Sequence, residues 1–175
     1  MLRRFDTPYM ADWFAISLRW VVLVGLIASL GLGQQLELSS VWPLGLMILW
    51  NLGMTALAGL NIRMNYHRRI NMAVDLLLSG AFYFVQGGVS GPAFWAGLLP
   101  ILTGSVYFEL WGATLSAIIF SAFVLIIGVQ SEENLSLSFF VAAILSLLGI
   151  IFGFIGRRLI GTMRKNRALW VDAEE

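Results

Sequence analysis

The sequence predicts an all-α fold: a polytopic membrane bundle of six transmembrane helices, the sixth continuing into a cytoplasmic helix. Three observations predict it. The 175 residues are 59% hydrophobic and only 12% charged, whereas soluble domains are roughly half apolar and a quarter charged. The apolar residues gather in six runs that approach or reach the ~20 residues needed to cross a bilayer. The basic residues occupy only alternate connections between those runs.

Length sets the next limit. Six such spans consume most of the chain and leave no room for a water-soluble catalytic domain, so an enzyme is not expected within these residues. A net charge of +1 gives no field suited to nucleic acid. The absence of cysteine excludes disulfides, thiolate metal sites and thiol redox switching in this stretch of chain.

Residues 1–12 are polar and basic, and are read as a cytoplasmic N-terminal segment. The first apolar run covers 13–33 and is interrupted only by Arg19. It exceeds the roughly 7–15 residues of a signal-peptide core, lacks a clear small-residue cleavage site and is followed by further spans, so it is read as a retained helix. The second run, 42–60, has Pro43 at its start, where a missing N–H costs little. The third, 70–85, is short and ends in QGGVSGP, and the fourth, 94–108, is short and contains Pro100. These two either cross with little tilt or form a partly re-entrant unit around the glycines. The fifth run is 110–129 and the sixth 137–155. Residues 13–156 thus form the membrane domain, and 157–175 turn charged without a strong helix breaker, as a cytoplasmic linker helix would.

Ten of the eleven Lys and Arg obey one rule. Arg3 and Arg4 precede span one, Arg63, Arg68 and Arg69 separate spans two and three, and Arg157, Arg158, Arg164, Lys165 and Arg167 follow span six. The alternate connections carry Glu37, Glu132 and Glu133 instead. The positive-inside rule then places both termini in the cytoplasm.

Arg19 and Asp75 lie inside spans, each about two turns from the basic end, and buried charge needs a reason. They either pair across the bundle, fixing helix one on helix three, or Arg19 snorkels to the headgroups while Asp75 meets water. Asn51, Ser79, Thr103, Ser105, Ser116 and Ser121 are read as interhelical hydrogen-bonding residues, and Gln86 and Glu109 as solvated span ends. The sole histidine, His67, lies in a basic loop and the sole lysine, Lys165, beyond span six. A bis-histidine haem and a retinal Schiff base within the bundle are therefore not expected. The context YHRRI also lacks the acidic neighbour of a phosphoacceptor histidine. No metal site or catalytic constellation is visible.

Two patterns remain. Between the short spans, Gly87, Gly88, Ser90, Gly91 and Pro92 permit a sharp change of direction, with Tyr83, Phe84, Phe94 and Trp95 around them and Pro100 opening the next helix. A ligand pocket reached from the bilayer and a plain outside turn with an aromatic belt both fit. On helix six, Ala142, Ser146, Gly149, Gly153 and Gly156 form a stripe of small residues, continued by Ile160, Met163, Arg167 and Trp170. Such a seam suits close packing against a symmetry mate, giving a homodimer, or against helix five, where Ala113, Ala117 and Ser121 repeat at the same spacing.

Leu18-Arg19-Trp20, Asn51-Leu52, Asp75-Leu76-Leu77, Gly87-Gly88 with Pro92, and Leu98-Leu99-Pro100-Ile101 together give the chain a family likeness. Over residues 13–165 it resembles the six-helix N-terminal membrane sensor region of bacterial sensor histidine kinases, RegB/PrrB- and PilS-like. The resemblance implies a bacterial inner-membrane input module of a two-component system, redox or quinone sensing near residues 83–100, and a cytoplasmic output domain in the full protein. Gly87, Gly88 and Pro92 match the family's GGxxNPF segment. Gly91 replaces its Asn, and Ala93 replaces its Phe, with Phe94 one place later. The competing expectations are a six-helix substrate-binding subunit of a vitamin or metal uptake transporter and a structural subunit of a larger membrane complex.

Overall fold

The computed structural model describes residues 7–32, 38–60, 62, 66–130 and 135–172, with side chains over 11–32, 41–60, 62, 66–130 and 135–163. The expectations placed on Arg3, Arg4, Glu37, Arg63, Glu132 and Glu133, and on the side chains of Arg164, Lys165, Arg167 and Trp170, lie outside these residues. Every element among the described residues is helical: α1 (Thr7–Leu32), α2 (Leu38–Gly59), α3 (His67–Val85), a 3-10 turn (Gly88–Ser90), α4 (Leu98–Gln130) and α5 (Leu135–Asp172).

Four stretches are long and apolar enough to cross a membrane: Ala11–Leu32, Val41–Gly59, Leu98–Gln130 and Leu135–Met163. The outer surface agrees with a lipid environment. Val21, Val24, Leu49, Leu77, Ile118, Phe140 and Leu147 are all more than half exposed or close to it, a coat that water would not tolerate over so large an area. Helix α3 is not among the four, because it opens with His67-Arg68-Arg69 and carries Asp75. Its amphipathicity is inverted: Asn71, Asp75 and Ser79 are buried while Ile70, Leu77 and Phe84 face outward. That is the pattern of a helix whose polar face needs protein partners and whose apolar face can meet lipid.

Spans four and five, expected as separate helices, form the two arms of α4. The break is at Glu109, with φ 56 and ψ −134, a backbone shape that glycine takes in a type II′ turn. In a straight helix Gly104 and Gly112 would stand about 12 Å apart. Instead a Cβ on Gly112 would lie 2.9 Å from the Gly104 carbonyl carbon, and one on Gly97 would strike the Phe120 ring. The arms therefore fold back on each other, the glycines admitting the close approach. The first arm begins at Leu98, later than the expected 94, since residues 92–97 are turns. Pro100 sits in its first turn and so opens the helix rather than breaking it.

Contacts fix an up-and-down arrangement in which α1 and α3 run in the same direction. Asp12 near the start of α1 meets His67 at the start of α3, and Trp95 after the 3-10 turn meets Ser29 at the far end of α1. Gly128 near the end of α4 abuts Ser138 near the start of α5, while Gly156 reaches Ser105 at the break-proximal end of the first arm. Among the described residues two large apolar clusters fill the bundle, beside a smaller one of Ala15, Val106 and Tyr107. One large cluster joins α1, α2, α3 and the 93–99 segment through Leu23, Leu26, Met47, Phe82, Ala96 and Leu99. The other joins α3, both arms of α4 and α5 through Tyr83, Ile101, Ala117, Phe120, Val124 and Leu145.

The small-residue stripe of helix six, here α5, is occupied within the chain. A Cβ on Gly149 would strike Ala117, one on Gly153 would lie 2.9 Å from the Leu110 Cα, and one on Gly156 would strike the Ser105 carbonyl. Ser146 lies 3.1 Å from Ser121, whose hydroxyl donates to the Ala142 carbonyl at 2.9 Å. The structure therefore uses the intramolecular alternative, and this stripe is not available for the symmetric dimer contact. A homodimer would have to use another face of α5.

Candidate functional site

The basic end of the bundle holds a connected polar centre. Arg19 projects from α1 and Asp75 from α3 into the interior, their side chains 2% and 4% exposed. Arg19 Nε and Nη2 both donate to Asp75 Oδ2, at 3.0 and 2.7 Å. The Nε–Nη2 edge of the guanidinium thus meets a single carboxylate oxygen, and Nη1 is buried with no hydrogen-bond partner among the described residues. Of the two arrangements open from the sequence, Arg19 and Asp75 adopt the cross-bundle pair.

One turn nearer the helix start, Asn71 Nδ2 donates to the Tyr107 hydroxyl at 3.3 Å, and Asn71 Oδ1 accepts from Trp50 Nε1 at 3.1 Å. Another turn outward, Asp12 lies 3.2 Å from His67 Nε2 and accepts from Arg68 Nε at 3.3 Å. The Arg68 guanidinium stands 5.7 Å over the Tyr107 ring, and His67 meets that ring edge-on. His67, Asn71 and Asp75 follow one another every four residues, so one face of α3 supplies a ladder to α1, α2 and α4. The i, i+4 repeat was the available sequence signal for this ladder. Of its partners, 21 to 56 residues away, only Arg19 carried one, its depth matching that of Asp75. His67 is consequently no loop residue: it opens α3, and the acidic neighbour absent from its local sequence arrives from α1.

The other polar residues divide. Ser121 bridges α4 and α5 as described, Thr103 donates to Leu99 of its own helix and also lies against Asp75 of α3, and Ser105 donates to Leu102 of its own helix. Asn51 is 1% exposed, and neither its amide nor the buried Ser79 and Ser116 hydroxyls make a hydrogen bond among the described residues, so the interhelical role expected of these three is not seen. Gln86, expected to be solvated, is buried at 7% exposure.

Residues 83–95 form a packed plug at the opposite end. Tyr83 is fully buried, edge-on to Phe120 at 5.7 Å. Gly87 and Gly88 take positive φ, 81 and 64, and turn the chain. Gly91 presses on the Gln86 carbonyl, where a Cβ would not fit. Trp95 lies across Gly25, whose absent side chain makes room for the indole, and donates to Ser29 at 3.3 Å. Phe84, Ser90 and Phe94 face outward, Pro92 is half-buried and Pro100 is buried in α4. Three grooves among the described residues, on α2–α3, α3–α4 and α5, are lined by no residue of 83–95. Replacing Trp95 with Phe removes the indole N–H and should cost about 0.5–1.5 kcal/mol, read by thermal unfolding in detergent. A Ser29→Ala chain should lose a similar amount, and the double variant little more than either.

Compared with known proteins, the chain matches no family model, no curated protein and no solved structure.

Proposed function

We propose that the chain is the membrane input module of a two-component-type signalling protein in a bacterial inner membrane. It crosses six times, with both arms of α4 and α3 counted as crossings and both termini cytoplasmic. The chain itself is non-catalytic. The plug at 83–95 responds to a small apolar ligand or to the state of the surrounding lipid, and α5 carries the response to a cytoplasmic output domain.

One observation supports this reading above the rest: the plug and α5 are joined by a continuous packed path through α4. Tyr83 and Gly97 grip Phe120, while Ala117 one turn earlier and the adjacent Ser121 meet Gly149 and Ser146. A displacement of the plug must move Phe120 or open a gap beside it, because packed interiors leave no slack. Helix α5 has 38 residues, about 57 Å at 1.5 Å per residue, well beyond the ~30 Å of hydrocarbon. Its length suits a rod that emerges from the bilayer.

The cysteine-free sequence permits a direct test. Spin labels on Ile62→Cys and Thr162→Cys, both at exposed positions, report the distance between the α2–α3 connection and α5 in nanodiscs. Addition of ubiquinone, or a change of bilayer thickness, should shift that distance by on the order of 1–2 Å. Phe120→Ala should abolish the shift. Identical distributions under every condition would remove the sensor reading.

A further inference from the structure

The groove between α3 and the break in α4 has the chemistry of a lipid site. It is lined by Arg69, Met72, Ala73 and Leu76 from the first two turns of α3, and by Phe108, Trp111, Gly112 and Leu115 around Glu109. Its volume is about 420 Å³, within the range of roughly 300–1,000 Å³ typical of small-molecule sites. One end carries a guanidinium and the rest is hydrocarbon, an indole and a glycine.

The three arginines near this end of α1 and α3 are used differently. Arg19 is paired with Asp75, and Arg68 with Asp12. Arg69 stands 5.7 Å over the Tyr66 ring, and among the described residues its guanidinium makes no ion pair. It is exposed at the mouth of the groove, where its five donors remain free for an anion. Trp111 beside it is 84% exposed, which suits an indole at the boundary between headgroups and hydrocarbon. The end is basic beyond this groove as well, since Gly156 packs on Ser105 one turn from the break and is followed by Arg157 and Arg158.

We propose that this groove binds one anionic glycerophospholipid, with its phosphate on Arg69 and an acyl chain along Met72, Leu76, Trp111 and Leu115. Charge complementarity selects the anionic class: a zwitterionic headgroup brings a cation that Arg69 repels, whereas an anionic one gives a charge-assisted phosphate contact without that cost. The proposal needs the membrane location of the helices and is independent of any signalling role.

Native mass spectrometry of the intact chain in detergent tests it, with phosphatidylglycerol and phosphatidylcholine of the same acyl chains as probes. Phosphatidylglycerol should be retained in preference, with one adduct dominant. Arg69→Gln should reduce that adduct roughly tenfold, about the worth of one charge-assisted hydrogen bond, and leave phosphatidylcholine unchanged. Arg157→Gln/Arg158→Gln should leave the dominant adduct intact. Brominated phosphatidylglycerol should quench the component of fluorescence that Trp111→Phe removes. Equal retention of the two lipids, an unaffected Arg69→Gln chain, or equal loss in the Arg157→Gln/Arg158→Gln chain would overturn the proposal. Displacement by inorganic phosphate alone would mark an anion site and likewise overturn the lipid assignment.

Discussion

Asp75→Asn should lower stability by about 3–5 kcal/mol, the cost of removing one partner from a buried ion pair. The substitution leaves the Arg19 guanidinium in a site where its residue is 1% exposed, and a guanidinium cannot shed its proton. Arg19→Met should cost less, because a lone carboxyl can be neutralised by a proton whereas a lone guanidinium cannot. The double variant Arg19→Met/Asp75→Leu should regain roughly half or more of the Asp75→Asn loss, since it buries no unpaired charge. Unfolding in mixed detergent and SDS provides the measurement. Strictly additive losses would mean that each side chain is stabilised by something other than its partner.

The second large effect is expected at Gly112. A Cβ there would lie 2.6 Å from the Phe108 Cβ and 2.9 Å from the Gly104 carbonyl carbon, with the Gly104 oxygen closer still. Backbone cannot step aside as a flexible side chain can, so Gly112→Val must part the arms of α4. Overpacking of this kind costs typically 1–3 kcal/mol and more when the obstacle is rigid. Gly161→Ala in α5 supplies the control. No atom lies within 4 Å of its added Cβ, and the exchange should be neutral or stabilising by up to about 1 kcal/mol. Equal losses at the two positions would be incompatible with the close approach of the two arms. If Gly112→Val instead proves harmless, the fold-back at Glu109 is wrong.

Much of the scaffold was legible before any coordinates. The apolar runs located the helices to within a few residues, because hydrocarbon thickness and helical rise together leave little choice of segment length. The equal depth of Arg19 and Asp75 drew them together for a reason equally general: an intramembrane charge is too costly to leave alone. The small-residue stripe of α5 marked a close helix contact in the same way. It could not name the partner, since glycine admits any backbone and Ala117 is as acceptable as a symmetry mate.

The remaining features depend on neighbours that sequence distance conceals. Nothing around His67 announces Asp12, 55 residues away, and nothing around Gly25 announces that Trp95 will fill the space above it. The glycine-rich segment signals a change of direction equally well for an open pocket and for a plug. Its packing against α1 and Phe120 decided for the plug. Likewise the two apolar runs flanking Glu109 required a reversal there, but nothing in them announced its positive φ or how closely Gly104 and Gly112 would approach. The sequence by itself determined the helices, their apolar exteriors and the need to pair charge with charge, since these follow from each segment's own composition and from the solvent. Only the tertiary structure decided which surfaces meet, because close packing depends on the shapes of residues brought together from distant parts of the chain.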